Sequence, residues 1–143
     1  MPVYTPLALI FGDVLSEARA ATLETQYRLA RERVRPLGGI PDVGVTDTTY
    51  VDVPGAVIVR LADAATVRIH AMGLVSAGTG SIQLWDVGGA AAVAGSELTF
   101  TDATPTLQEG PDLELAAGDY KLQTKISVGT AHVIVYGAAL VTR

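Results

Sequence analysis

From residue 46 to the C-terminus, apolar and polar side chains alternate in short runs separated by turn residues. Val67, Ile69 and Ala71 interleave with Arg68, His70 and Met72, and Ile82 and Leu84 interleave with Gln83 and Trp85. A period of two places alternate side chains on opposite faces of a strand, so these runs predict half-buried β-strands. The pattern gives eight: residues 48–53, 56–61, 66–74, 81–86, 96–101, 112–115, 120–127 and 132–142. Between them stand Pro54-Gly55, residues 77–80, Gly88-Gly89, residues 109–112, 117–119 and 128–130, all with turn chemistry. Residues 56–75 read as a hairpin hinged near 62–65. Gly118 allows a tight turn ahead of Tyr120, and Tyr120 alternates with Leu122, so both are expected inside. Eight strands without an intervening helical pattern predict a mainly β fold, an antiparallel β-sandwich that is jelly-roll-like.

The first 35 residues have a different period. Residues 3–11 are apolar and held extended by Pro2 and Pro6. Gly12-Asp13 supplies a turn and an N-cap, Glu17 suits the first turn, and arginines gather toward the end, as a helix dipole favours. Ala20, Leu23, Tyr27, Ala30 and Val34 recur by three and four, which predicts one amphipathic α-helix with a narrow apolar stripe. About twenty residues of helix span roughly 30 Å. Residues 36–42 (PLGGIPD) then read as a linker. The expected organisation is an arm, helix and linker over 1–41 and a sandwich over 42–143. Such a helix either folds back on its own domain or docks on another chain. The apolar arm favours docking, with Leu7, Leu9, Ile10, Phe11, Leu23, Tyr27 and Val34 as the docking or oligomer residues.

Composition narrows the class. A chain of 143 residues that is 49% hydrophobic and 17% charged buries a core and is not disordered. The absence of cysteine excludes disulfides, thiol catalysis and cysteine-ligated metals. No run of about eighteen apolar residues exists to span a bilayer, and no basic region precedes the apolar N-terminal stretch as in a signal peptide. Neither a membrane nor a nucleic-acid partner is expected, the latter because the net charge is −5. That charge is uneven: residues 13–35 carry +1 and residues 36–143 carry −6.

Chemistry is sparse. His70 and His132 lack metal-ligand spacing, no Gly-x-Ser-x-Gly element is present, and no catalytic or metal residue is expected. Nor is a cofactor. Residues 78–80 and 88–89 resemble phosphate loops only in glycine content; each lies between strands and reads as a hairpin turn. Asp102, Glu109, Asp112, Glu114 and Asp119 are numerous enough for an acid/base pair or a calcium site, but acids scattered over turns more often solvate a rim. Trp85 shares a face with Gln83, opposite Ile82 and Leu84. An aromatic ring on a polar sheet face is either a stacking platform for a sugar or a packing contact.

Residues 81–99 (SIQLWDVGGAAAVAGSELT), 113–123 (LELAAGDYKLQ) and 133–141 (VIVYGAALV) are the recognisable stretches of a C-terminal region of about 100 residues. In pattern this region resembles the small jelly-roll virion proteins of tailed bacteriophages: head decoration proteins, head fibres and tail-fibre tips. Carbohydrate-binding modules share the Leu-x-Leu-x-x-Gly-x-Tyr corner. The resemblance implies a non-enzymatic structural protein of the virion, a homo-oligomer and commonly a trimer, docked on other virion proteins such as the major capsid protein. The alternative is a carbohydrate- or receptor-binding β-sandwich using Trp85. A small hydrolase is a distant third.

Overall fold

Twelve strands account for the architecture of residues 34–142, the part of the chain that the computed structural model describes. They are β1 (Val34–Gly38), β2 (Gly44–Val45), β3 (Val51–Asp52), β4 (Val59–Leu61), β5 (Ala65–Val75), β6 (Gly80–Asp86), β7 (Ala91–Ala92), β8 (Leu98–Phe100), β9 (Thr106–Glu109), β10 (Leu113–Leu115), β11 (Gly118–Ile126) and β12 (Val133–Thr142). All pair antiparallel, in two sheets. One runs β1-β12-β5-β10, with β2 beside β12 and β9 beside β5. The other runs β3-β11-β6-β7, with β4 beside β11 and β8 beside β6. The result is an antiparallel β-sandwich.

Alternation explains why these segments fold this way. Val67, Ile69 and Ala71 of β5 are buried, as are Ile82 and Leu84 of β6 and Tyr120, Leu122 and Ile126 of β11. These side chains point between the two sheets, where Val133, Val135 and Leu140 of β12 and Phe100 of β8 complete one continuous core. Thr124 is also fully buried, and its hydroxyl donates to the Ser81 carbonyl at 2.9 Å. Gly73 is glycine for steric reasons: a Cβ there would lie 2.8 Å from the Ile134 carbonyl oxygen and 3.1 Å from the Phe100 ring.

Several expectations change. Residues 36–38, placed in the linker by the sequence, pair with β12 as part of an edge strand. Val34 is not on a helical stripe: it starts that strand opposite Val141 and is 53% exposed. A β-branched residue beside an open strand edge gains more from the ladder than from continuing a helix. Residues 56–75 do not form a hairpin, because β4 pairs with β11 while β5 pairs with β9, β10 and β12 in the other sheet. The turn at 77–80 likewise crosses from one sheet to the other, whereas Gly88-Gly89 does join two paired strands, β6 and β7. A run of alternating residues carries the same signal whichever sheet it joins. The strands β2, β7 and β9 were not expected; the first two have two residues each, too few to show a period. The N-terminal helix, and with it Leu7, Leu9, Ile10, Phe11, Leu23 and Tyr27, lies outside the described residues.

Candidate functional site

The outward face of the β3-β11-β6 sheet concentrates the polar and aromatic chemistry. Its geometry follows from register. In β11, Lys121, Gln123 and Lys125 alternate with the buried Leu122 and Thr124, so the three polar residues point away from the core. Lys121 stands opposite Trp85, Gln123 opposite Gln83 on one side and Asp52 on the other, and Lys125 opposite Ser81. Residues directly opposite in such a ladder have Cβ atoms about 4.5–5.5 Å apart. Trp85 is half-buried on the face it shares with Gln83, as alternation predicts.

A directional chain of hydrogen bonds joins these groups. Lys121 Nζ donates to Asp52 Oδ2 at 2.8 Å, and Gln123 Nε2 donates to Asp52 Oδ1 at 3.4 Å. Gln83 Nε2 in turn donates to Gln123 Oε1 at 3.1 Å. An ionised carboxylate only accepts, so Asp52 fixes which end of the Gln123 amide faces it, and Gln123 then orients Gln83. Among the described residues the Trp85 indole N–H meets no acceptor, and it is not sealed from solvent.

At the other end of the face, Tyr50 and Glu97 form a strap. The Tyr50 hydroxyl donates to Glu97 Oε2 at 2.5 Å, joining residues on opposite sides of β11 and β6. Lys125 Nζ sits 4.5 Å from the centre of the Tyr50 ring, within cation–π reach. Burial, and then the Glu97 acceptor, hold the Tyr50 hydroxyl pKa well above its ordinary value. With its hydroxyl engaged and its ring under Lys125, Tyr50 is less available for stacking than Trp85.

Of the carboxylates noted in the sequence, Glu109, Asp112 and Glu114 follow one another beside His70, Arg68 and Thr66 of β5, whereas Asp102 and Asp119 are paired elsewhere. Glu109 lies 3.7 Å from His70 Nδ1, Asp112 pairs with Arg68, and Asp119 lies 3.6 Å from Arg60. Glu114 accepts from the Thr66 hydroxyl, and Asp102 accepts from the Thr106 hydroxyl. Each acid thus has a neighbour of its own, and Glu109 and Asp112 both act on Arg68. Among the described residues no group of three or more His, Asp or Glu is placed to hold a metal ion. His132 serves structure: its backbone N–H donates to Ser76 Oγ, and its ring lies against Gly44.

Sequence reasoning singled out Trp85 and its neighbour Gln83 but missed Asp52, Lys121, Gln123, Tyr50 and Glu97. A signal for part of this set existed. Lys121, Gln123 and Lys125 form an outward polar stripe in a strand whose Tyr120 and Leu122 the alternation assigns to the core.

No protein-family model matches the chain, and no curated protein matches it. Among solved structures, one similar fold is a carbohydrate-binding module (CBM6cm-2) from Cellvibrio mixtus lichenase 5A in complex with cellotriose. It has 15% identity and a TM-score of 0.51, with 78% of this chain and 88% of that chain covered. A carbohydrate-binding module CBM36 in complex with calcium and xylotriose has 21% identity and a TM-score of 0.45, covering 75% and 98%. The VP2 protein of infectious bursal disease virus has 16% identity and a TM-score of 0.39, covering 77% of this chain and 31% of that one. The first of these shows the sandwich fold and nothing finer.

Proposed function

We propose that this domain is a non-enzymatic binding module whose ligand is a carbohydrate held on the outward face around Trp85. The observation that carries the reading is a half-buried tryptophan set directly opposite Lys121, beside the hydrogen-bonded row of Asp52, Gln123 and Gln83. A flat apolar ring next to a few oriented polar groups suits a sugar, which has an apolar C–H face and polar edges. The module from Cellvibrio mixtus contributes the fold alone to this reading. A glycan-array screen with the intact chain and with Trp85→Ala tests it. The expected result is binding that the substitution abolishes while the melting temperature stays close to wild type. Binding unchanged by Trp85→Ala overturns it.

A second reading, compatible with the first, is a structural protein of a phage virion. It is favoured by apolar side chains left in water beside β1. Ile58 is 57% exposed, and Val57, Ile40 and Val34 are exposed as well. Val57 and Ile40 are neighbours of one strand end, since the Val57 N–H donates to the Leu37 carbonyl and Ile40 lies over Gly55. Exposed apolar groups gathered in one region mark an interaction surface. On this reading the chain is a homo-oligomer, with a trimer favoured, in the virion and bound to other virion proteins such as the major capsid protein, without nucleic-acid or membrane partners. Light scattering and binding to emptied capsids test it. A monomer at high concentration that ignores capsids overturns it.

A further inference from the structure

Resting on the carbohydrate reading, we propose that Asp52 and Lys121 together select a neutral sugar, reading adjacent hydroxyl groups while its apolar face lies on Trp85. The argument is one of unused hydrogen-bonding capacity. The Lys121 ammonium has three N–H donors and spends one on Asp52. The Gln123 amide has two and spends one on the same carboxylate. Asp52 has about four lone-pair sites, of which these two bonds take two. Its side chain is 51% exposed and that of Lys121 24%, so the remaining capacity is open to a ligand.

Donors and acceptors therefore sit together on the β3 side of β11, while Trp85 stands opposite Lys121 on its β6 side, so a ligand that spans the face meets both. A hydroxyl can use both at once, accepting from Lys121 or Gln123 while donating to Asp52. A second hydroxyl on the neighbouring carbon can engage whichever partner the first leaves. A carboxylate or sulfate offers acceptors only, and it meets the negative charge of Asp52. An ammonium group offers donors only, and it meets Lys121. The ion pair is neutral overall, so it supplies no net attraction for a charged ligand. Asp52 has a second effect, on orientation. Replacing its carboxylate with an amide removes one acceptor and lets an N–H₂ face the donors of Lys121 and Gln123, which unfixes the Gln123–Gln83 row.

The test compares the intact protein with Asp52→Asn and Lys121→Met on neutral oligosaccharides and on the same backbones carrying uronate or sulfate groups. Wild type is expected to bind the neutral series, with affinity little changed between about 0.05 and 0.5 M salt. Each substitution is expected to weaken that binding by at least about tenfold, as the loss of one charge-assisted hydrogen bond does. Both replaced side chains are partly exposed, so the thermal midpoint should hold, and Lys121→Met keeps the test decisive if Asp52→Asn unfolds. Preference for the acidic glycans, or wild-type affinity in both variants while Trp85→Ala abolishes binding, overturns this inference and leaves the carbohydrate reading standing. Absence of any glycan binding by the wild type overturns both.

Discussion

The Tyr120 hydroxyl donates a 2.9 Å hydrogen bond to the carbonyl of Ala116, four residues back across the turn that feeds β11. The ring itself is only 3% exposed, so one side chain both fills the core and ties the turn to it. Truncating a buried aromatic costs about 3–5 kcal/mol, whereas removing a single hydrogen bond costs about 1 kcal/mol. Tyr120→Ala should therefore lower the melting temperature sharply and Tyr120→Phe only modestly. Trp85→Ala, on the outward face, should fall nearer the second. Thermal melts of the three variants check the order, and a Trp85→Ala loss matching Tyr120→Ala would contradict the placement of Trp85.

That the Tyr120 corner could be read in advance, while the binding face mostly could not, follows from where the information lies. Inside one strand, alternation says which residues point inward. It did so for Val67, Ile69 and Ala71, for Ile82 and Leu84, and for Tyr120 and Leu122, all of which are buried. Alternation says nothing about which strands become neighbours. Asp52 and Gln123 are partners only because β3 lies beside β11, a pairing across 71 positions of sequence. The hairpin expected over residues 56–75 failed for the same reason: β4 and β5 read alike but join different sheets. Glycine and proline misled in residues 36–38, where turn-like composition belongs to an edge strand held against β12.

Gly38 makes that edge strand testable. Its φ is +96°, and a Cβ would fall 2.1 Å from the carbonyl oxygen of Gly55. Both the backbone conformation and the close approach demand glycine. Gly38→Ala is expected to destabilise the domain by more than about 1 kcal/mol, because the clash is with backbone rather than with a side chain that can turn away. Denaturant melts measure this. An unperturbed midpoint would mean that residues 36–38 are not held in the sheet.

Ser96 carries a different kind of cost. It is buried, and its hydroxyl accepts from the Leu84 N–H at 2.9 Å while donating to the Val93 carbonyl at 2.7 Å. It thus links the turn after β7 to the middle of β6, one residue from Trp85. Ser96→Ala leaves a buried N–H without its acceptor, which costs about 1–3 kcal/mol. Ser96→Ala should lower stability by that amount and speed hydrogen exchange at the Leu84 amide. Unchanged exchange at that amide would show that another group satisfies it.

The last prediction concerns alkaline pH and the strap between Tyr50 and Glu97. Burial and the Glu97 acceptor raise the Tyr50 pKa above its ordinary value of 10.0. The folded chain therefore keeps the phenolic proton at pH values where the unfolded chain has begun to lose it. Its contribution to stability is complete below about pH 10 and is lost as the pH climbs through the raised folded-state value. Tyr120 has a pKa raised by burial, then by Asp86, and acts in the same direction, but it is common to wild type and a Tyr50 variant. Tyr50→Phe removes only the first contribution. Wild type should thus lose more of its stability than Tyr50→Phe between about pH 9.5 and 11.5, with the two curves converging as the strap gives way. Denaturant melts across that range check the difference in slope. Parallel curves would mean that the Tyr50 hydroxyl ionises as readily in the folded protein as in the unfolded chain.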